Sequence, residues 1–375
     1  MSDLLTPIIL MMLFVLVEAG VLQVSGRQKI DWLDVIFNIN SGHMMLWLFR
    51  CLEVLCYSLV VNHFSFGLFD NAPVILLWLF TLLVWDFGFY WLHRWHHEVR
   101  PLWAVHVVHH QGEHYNLSLG VRNSWYSSLT SIPFFMLLAL LGVPLSVFLA
   151  VSIAHYSWQF FNHNALTPKL GWLEKVLITP SHHRIHYLNE KQYADTNYGG
   201  TFLLWDKLFG SYSAGPDHGN VAYGVKNSRL SCNPMRESNL PFLRLMGFHS
   251  VGKAIERRYQ SSPWAVGAGV ILLFMMVLGY IQQYGYGIEY ITSEQAVLFV
   301  LLVAGSVALG GMGDGQRWGM ILWCSVTLSL LYFILYMCSW STLVWKGLAG
   351  VLLAHCVLFV SGVGRKSLRK HYEPV

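Results

Sequence analysis

Nine apolar runs, most of them long enough for a bilayer crossing, restrict this chain to one kind of environment. They fall at about 4–24, 44–66, 73–92, 127–141, 144–161, 264–281, 296–312, 318–340 and 343–362. A helix of about 20 apolar residues crosses a hydrocarbon core of about 30 Å. Lipid offers no partner for backbone N–H and C=O groups, so such runs must be helices. The expected fold is an all-α polytopic membrane protein, a transmembrane helix bundle. Composition agrees, with 55% hydrophobic and 12% charged residues, which excludes an ordinary soluble domain. The net charge of +4 is small and dispersed, so no nucleic-acid partner is expected. The 16 Trp, 18 Tyr and 22 Phe residues suit interfacial belts. Six cysteines form no C-x-x-C pair and read as buried small hydrophobes. Met1–Thr6 lack the basic stretch of a signal peptide, so the first run reads as a retained span.

Charge gives the orientation. The stretch 226–258 holds Lys226, Arg229, Arg236, Arg244, Lys253, Arg257 and Arg258, and the tail holds Arg365, Lys366, Arg369 and Lys370. The loops 67–72 and 282–295 hold neither Lys nor Arg. The positive-inside rule then puts the tail and the histidine-bearing segments in the cytoplasm, at a bacterial inner membrane or the endoplasmic reticulum. The 127–161 pair, joined around Gly142–Pro144, either crosses twice or dips in and returns. The chain divides into N-terminal transmembrane helices (1–72), a histidine-rich core (73–215), a loop-like connecting segment (216–262), and a C-terminal bundle with a basic tail (263–375).

Histidines cluster in the core. Asp86, Tyr90, His93 and His97 fall on one face of the third run, at about 100° per residue. A carboxylate inside an apolar run needs a use, and Asp86 and Tyr90 are expected to orient the imidazoles below them. Pro101 breaks this helix and suits the first turn of another, which carries His106, His109 and His110 at i, i+3 and i+4. Thr179 and Pro180 read as an N-cap and first turn ahead of His182, His183 and His186. His163 closes the fifth run, four residues after Gln159. No cysteine joins these clusters, so a structural zinc site is not expected. Many imidazoles with few carboxylates suit two first-row ions, with iron the choice for oxygen chemistry. Asp86, Glu98, Glu113 and Asp195 are placed to offset the metal charge. Arg122 and Arg184 either hold a headgroup or balance acids.

The runs Asp86–Glu98, His106–His110 with Glu113 and Tyr115–Ser118, Thr179–His186, Asp195–Gly200 and Trp205–Gly210 resemble the fatty acid hydroxylase/sterol desaturase superfamily of membrane di-iron enzymes. Within it the likeness is to the alkylglycerol monooxygenase-like branch. It covers about residues 80–213 densely. The resemblance implies that His93, His97, His106, His109, His110, His183 and His186 bind two iron ions, with His163 a further histidine ahead of the last box. The family's last box ends in two adjacent histidines, and Tyr187 holds the second place here. His182, Gln159 or Tyr187 itself then completes that shell, or one metal site is weaker. His96 and His114 fall where the family needs no histidine. Asp86, Tyr90, Glu98, Asp195 and Asn197 are expected to serve the reaction around the ligands.

The implied activity is O2-dependent hydroxylation of an alkyl chain of a lipid drawn from the bilayer, with cleavage of an alkylglycerol ether bond in the branch it most resembles. Tetrahydrobiopterin or another electron donor would supply electrons. Two alternatives stand beside this reading. One is a hydroxylase or desaturase of another acyl lipid, sterol or carotenoid. The other is a membrane metal transporter or sensor, which would place ionisable groups at mid-membrane in several spans. The C-terminal spans hold little of that kind beyond His355.

Overall fold

The computed structural model describes residues 2–190, 192–216, 222–225, 231–248, 255–285 and 291–367. Among them, seven helices are long and apolar enough to cross a membrane: Leu5–Val24, Trp32–His63, Val74–Glu98, Pro263–Tyr284, Ser293–Gly313, Arg317–Met337 and Leu343–Val360. The bundle is therefore that of a multi-pass membrane protein. Lys226, Arg229, Lys253, Arg369 and Lys370 lie outside the described residues.

The chain begins with α1 (Ser2–Val24) and α2 (Trp32–Asn38). Asp31 caps α2, its Oδ1 accepting from Leu33 N at 3.0 Å and Asp34 N at 3.3 Å. A π-helical turn, Ile39–Met44, joins α2 to α3 (Met45–His63). The second span thus starts at Trp32 rather than at 44. Gly42 sits in that turn, where a Cβ would fall 1.2 Å from the Val121 carbonyl oxygen. Only glycine lets this backbone pass.

Helix α4 (Val74–Glu98) carries the first histidines, and α5 (Arg100–His110) starts with Pro101 in its first turn. The short α6 (Leu117–Val121) follows. The pair α7 (Ser127–Leu141) and α8 (Leu145–Asn162) turns at Gly142, whose φ is 94°. The two alternatives for this pair are resolved by its tip. Phe66 N donates to Leu140 O at 2.8 Å and Leu68 N to Leu141 O at 3.1 Å. The tip therefore reaches the loop between α3 and α4, at the opposite end of α4 from its histidines. The hairpin runs the depth of the bundle instead of turning back partway. α9 (Pro180–His186) starts at Thr179 as its sequence implies, with a capping box closed by His182.

α10 (Leu204–Leu208) and α11 (Pro234–Leu245) precede the C-terminal helices α12 (Pro263–Tyr284), α13 (Ser293–Gly313), α14 (Arg317–Tyr332) and α15 (Leu343–Val360). The connecting segment is thus less loop-like than expected. Asn233 caps α11 through Arg236 N at 3.2 Å, and Ser238 on its buried face accepts from Trp125 N at 3.1 Å. Among the described residues the only strands are two of three residues, β1 (Tyr259–Ser261) and β2 (Arg365–Ser367), which pair antiparallel and tie the two ends of the C-terminal bundle together.

Two large apolar cores among the described residues hold the helices. One joins α1 and the second span to α12–α15. The other packs α3 and α4 against α7 and α8. Polar ties seat the histidine-bearing segments on these helices. Glu18 of α1 is buried and accepts from Leu117 N and from Ala165 N at 2.7 Å. Arg122 is fully buried, donating to Val108 O at 2.6 Å, Asn38 Oδ1 at 2.9 Å, Gln111 Oε1 at 2.8 Å and Asp34 at 3.2 Å. Arg184 donates to Asn164 O at 3.1 Å and Thr167 O at 3.0 Å. Arg122 therefore balances an acid, and both arginines brace the chain rather than reach for a headgroup.

Candidate metal centre

The helical repeat decides which histidines meet. On α4, His93 and His97 are one turn apart and share a face, as do His106 and His110 on α5. His109 sits about 100° around α5 from His110, so it faces a different neighbour. On α9, His183 and His186 are also one turn apart, with rings 5.2 Å apart and nearly parallel. The fold assembles two groups from these faces. In one, ring nitrogens of His93, His97, His106, His110 and His186 all lie within 4.8 Å of one another. In the other, those of His109, His163 and His183 do. Both groups draw on α5 and α9, which makes them neighbours.

Proton accounting shows what the groups can hold. His93 Nδ1 lies 2.7 Å from Tyr198 O, His186 Nδ1 2.7 Å from Thr196 O, His109 Nδ1 2.7 Å from Arg122 O, and His163 Nδ1 2.9 Å from Gln159 O. A carbonyl only accepts, so each Nδ1 carries the proton. A neutral imidazole then presents a bare lone pair at Nε2. These lone pairs point at one another. His109 Nε2 is 3.4 Å from His163 Nε2, and both are acceptors. In the larger group, His186 Nε2 is 3.2 Å from His110 Nε2, which is 3.1 Å from His106 Nε2. His93 Nε2 and His97 Nε2 are buried without a hydrogen-bond partner.

A proton cannot relieve this crowding cheaply. Burial, and then the neighbouring imidazoles, hold His106, His110 and His183 well below the ordinary histidine range. Burial does the same for His109 and His186, and pushes His163 down to about 4. A cation between the rings does relieve it. Nitrogens about 2.1 Å from one ion lie about 3.0 Å apart at a right angle and about 3.4 Å apart at the tetrahedral angle. The observed separations span that range, so the residues fit metal.

The other expected site residues hold the surroundings. Asp195 is 3.3 Å from His97 Nδ1, close enough to fix that ring and offset charge. Asp86 and Tyr90 do not touch the grouped imidazoles. Asp86 accepts from Thr201 N at 2.9 Å, Phe202 N at 3.2 Å, Trp205 Nε1 at 2.8 Å and from His155 Nε2. It anchors the 200–205 turn, because the α4 face that carries it meets α8 and this turn one level above the histidines. Gly200 passes so close to His155 that a Cβ would sit 2.2 Å from its ring. Tyr90 bonds Ser211 Oγ at 2.9 Å. Glu98 pairs with Arg94 at 2.8 Å on a half-exposed surface, and Glu113 and His114 are exposed. Asn197 has a left-handed φ of 56°, and its side chain is bonded to Ser213 N and O, both at 2.9 Å, and to His182 O at 3.2 Å.

His182 belongs to neither group. Its Nδ1 is turned back to the Thr179 amide at 3.3 Å as the helix cap. Gln159 is bound to His155 Nδ1. Tyr187 stands against the three-histidine group, its hydroxyl 3.1 Å from His163 Nε2. Since His163 Nδ1 donates to Gln159, the phenol is the donor there. Burial keeps the Tyr187 hydroxyl protonated by raising it well above the ordinary range. His96 bonds Thr130 Oγ1 at 3.0 Å.

Two residues that brace the surroundings of the groups have no role assigned from the sequence. His155 reads as one polar position in an apolar run, although steps of four connect it to Gln159 and then to His163. Asp206 is fully buried and accepts from Tyr198 N at 2.8 Å, Gly199 N at 2.8 Å and Ser211 Oγ at 2.7 Å. It holds the turn whose Tyr198 carbonyl orients His93. Replacing Asp206 with Asn is expected to weaken metal binding by about 10- to 100-fold, as loss of an outer partner typically does. Titrating the metal-free variant with Fe(II) checks this, and wild-type affinity would count against the role.

A cavity of about 130 Å3 adjoins both groups. His93, His106, His109, His163 and His183 line one side, and Met11, Trp47, Phe89, Leu92 and Phe160 give it apolar walls.

Residues 78–211 match the fatty acid hydroxylase family. The matched stretch contains both histidine groups. Among curated proteins, the chain is 34% identical to human alkylglycerol monooxygenase over 230 residues, 60% of this chain and 50% of that protein. It is 30% identical to an ornithine lipid hydroxylase of Rhizobium tropici over 189 residues, 49% of this chain and 56% of that protein. It is 25% identical to a Delta(7)-sterol 5(6)-desaturase of Gibberella zeae over 137 residues, 34% of this chain and 39% of that protein. The chain thus spans about half the length of the first of these relatives. No solved structure gives a significant match.

Proposed function

We propose that this protein is a membrane non-haem di-iron monooxygenase that hydroxylates an alkyl chain of a lipid with O2, and that its substrate is an alkylglycerol ether. The observation that carries the reading is the pair of inward-facing imidazole groups beside one apolar cavity. Iron in the two groups would supply the O2-dependent step, placing one oxygen atom in a C–H bond while the other leaves as water, with two electrons from a reductant such as tetrahydrobiopterin. The chain's own residues prepare that step. Tyr198, Thr196, Arg122 and Gln159 carbonyls aim the imidazoles. Asp195 sits by the His97 ring. Met11, Trp47, Phe89, Leu92 and Phe160 exclude water and hold a methylene chain against the histidines. In this reading the histidine ends of the helices face the cytoplasm, and the lipid enters sideways from the bilayer.

The test is direct. Protein loaded anaerobically with Fe(II) is given O2, a reductant and a panel of alkylglycerols, acyl lipids and sterols. Hydroxylation beside the ether oxygen should release a fatty aldehyde and free glycerol. Turnover of another lipid alone would move the substrate assignment. Full activity with zinc as the only bound metal would end the proposal.

A further inference from the structure

Helix α3 carries two charged side chains inside its span that nothing above employs. Arg50 is 6% exposed and Glu53 fully buried. Arg50 Nη1 lies 2.8 Å from Glu53 Oε2, and its guanidinium sits 4.2 Å from the centre of the Tyr156 ring. Glu53 also accepts from Ser131 Oγ at 3.1 Å. Apolar side chains at these two positions would pack α3 against α7 and α8 as well as a buried ion pair within α3 does. Ionisable groups inside a span are costly and mark a use.

Their position indicates the use. Arg50, Ser131 and Tyr156 line the same cavity as His93, His109 and His163. On the other side, Trp47, Arg50 and Tyr156 also line a small recess formed by Pro7 of α1 with Leu149 and Ile153 of α8. Arg50 therefore stands between the histidine cavity and the α1–α8 gap.

We propose that the Arg50–Glu53 pair selects the lipid, by reading an uncharged oxygen of it: an ether, ester carbonyl or hydroxyl. A guanidinium only donates, so it needs an acceptor. Glu53 cancels its charge at 2.8 Å, so the pair itself has no net positive charge with which to offset that of an anionic group. A neutral oxygen brings no charge and gains a charge-assisted hydrogen bond. The Tyr156 ring fixes the guanidinium plane. The inference rests on the proposed function in taking the cavity's occupant for the substrate, yet its test needs no turnover.

Purified, iron-loaded protein in detergent is titrated with three probes of equal chain length: 1-O-hexadecylglycerol, palmitate and hexadecane. Wild type is expected to prefer the ether lipid to hexadecane by about tenfold or more, the worth of one hydrogen bond to a charged group. Arg50→Gln should erase that preference, and Arg50→Lys should keep part of it. Glu53→Gln should shift binding toward palmitate, because the positive charge is then unmasked. Unchanged iron content and elution volume establish that the variants are folded. If Arg50→Gln does not fold, Glu53→Gln decides alone: a shift toward palmitate supports the proposal and none overturns it. Folded Arg50→Gln and Glu53→Gln proteins that bind all probes as wild type does would also overturn it. If wild type oxidises no lipid while Arg50→Gln still abolishes the ether preference, the monooxygenase reading falls and this one stands.

Discussion

Replacement of His109 by Ala is expected to cut bound iron from about two ions per chain to no more than about one, and to abolish lipid oxidation. Among the described residues His109 is one of three imidazoles in its group, against five in the other, so its loss leaves two. It also faces His163 lone pair to lone pair at 3.4 Å. Removing one ring ends the crowding that makes a cation favourable there. The loss of activity should exceed about a hundredfold, since even an outer partner of a metal ligand is worth 10- to 100-fold. Iron analysis of the purified variant and its oxygen consumption with lipid present check both parts. Full iron occupancy with full activity would remove the three-histidine group from the reaction.

The metal-free protein is expected to lose stability steeply as pH falls below about 6.5, and iron is expected to prevent this. A histidine in the unfolded chain titrates near 6.5. Burial holds His163 at about 4 in the fold. Between those values the unfolded chain binds a proton that the folded chain refuses, so acid favours unfolding. The stabilisation is complete above about 6.5 and is lost on the way down to about 4. For His163 alone the difference is about 3 kcal/mol. His106, His109, His110, His183 and His186 are shifted the same way. Chelator-treated protein in detergent should show a Tm lower by roughly 5 °C or more at pH 5 than at pH 7.5. A Tm independent of pH over this range would mean that the rings are open to water.

Much of this was legible in the sequence, for a physical reason. Span length follows from bilayer thickness, and turns such as Val99–Pro101 and Thr179–Pro180 are set by proline's own geometry. The spacing of His93 with His97 and of His106 with His110 follows from the helical repeat. Local rules gave these. What local rules cannot give is which helix faces which. The split of neighbours His109 and His110 into different groups depends on where α8 and α9 pack. His182 reads as a ligand by type, yet helix capping claims its ring. Asp86 reads as a support for the imidazoles, yet the 200–205 turn and His155 reach it first. Arg50 stands out only once packing puts it at the cavity wall, with Glu53 beside it.

The central claim is that two adjacent groups of imidazoles each hold an iron ion. Anomalous diffraction at the iron edge from crystals of the Fe(II)-loaded protein tests it most directly. Two peaks are expected, one ringed by His93, His97, His106, His110 and His186, the other by His109, His163 and His183. A single peak, or density lying away from these rings in an active protein, would contradict it.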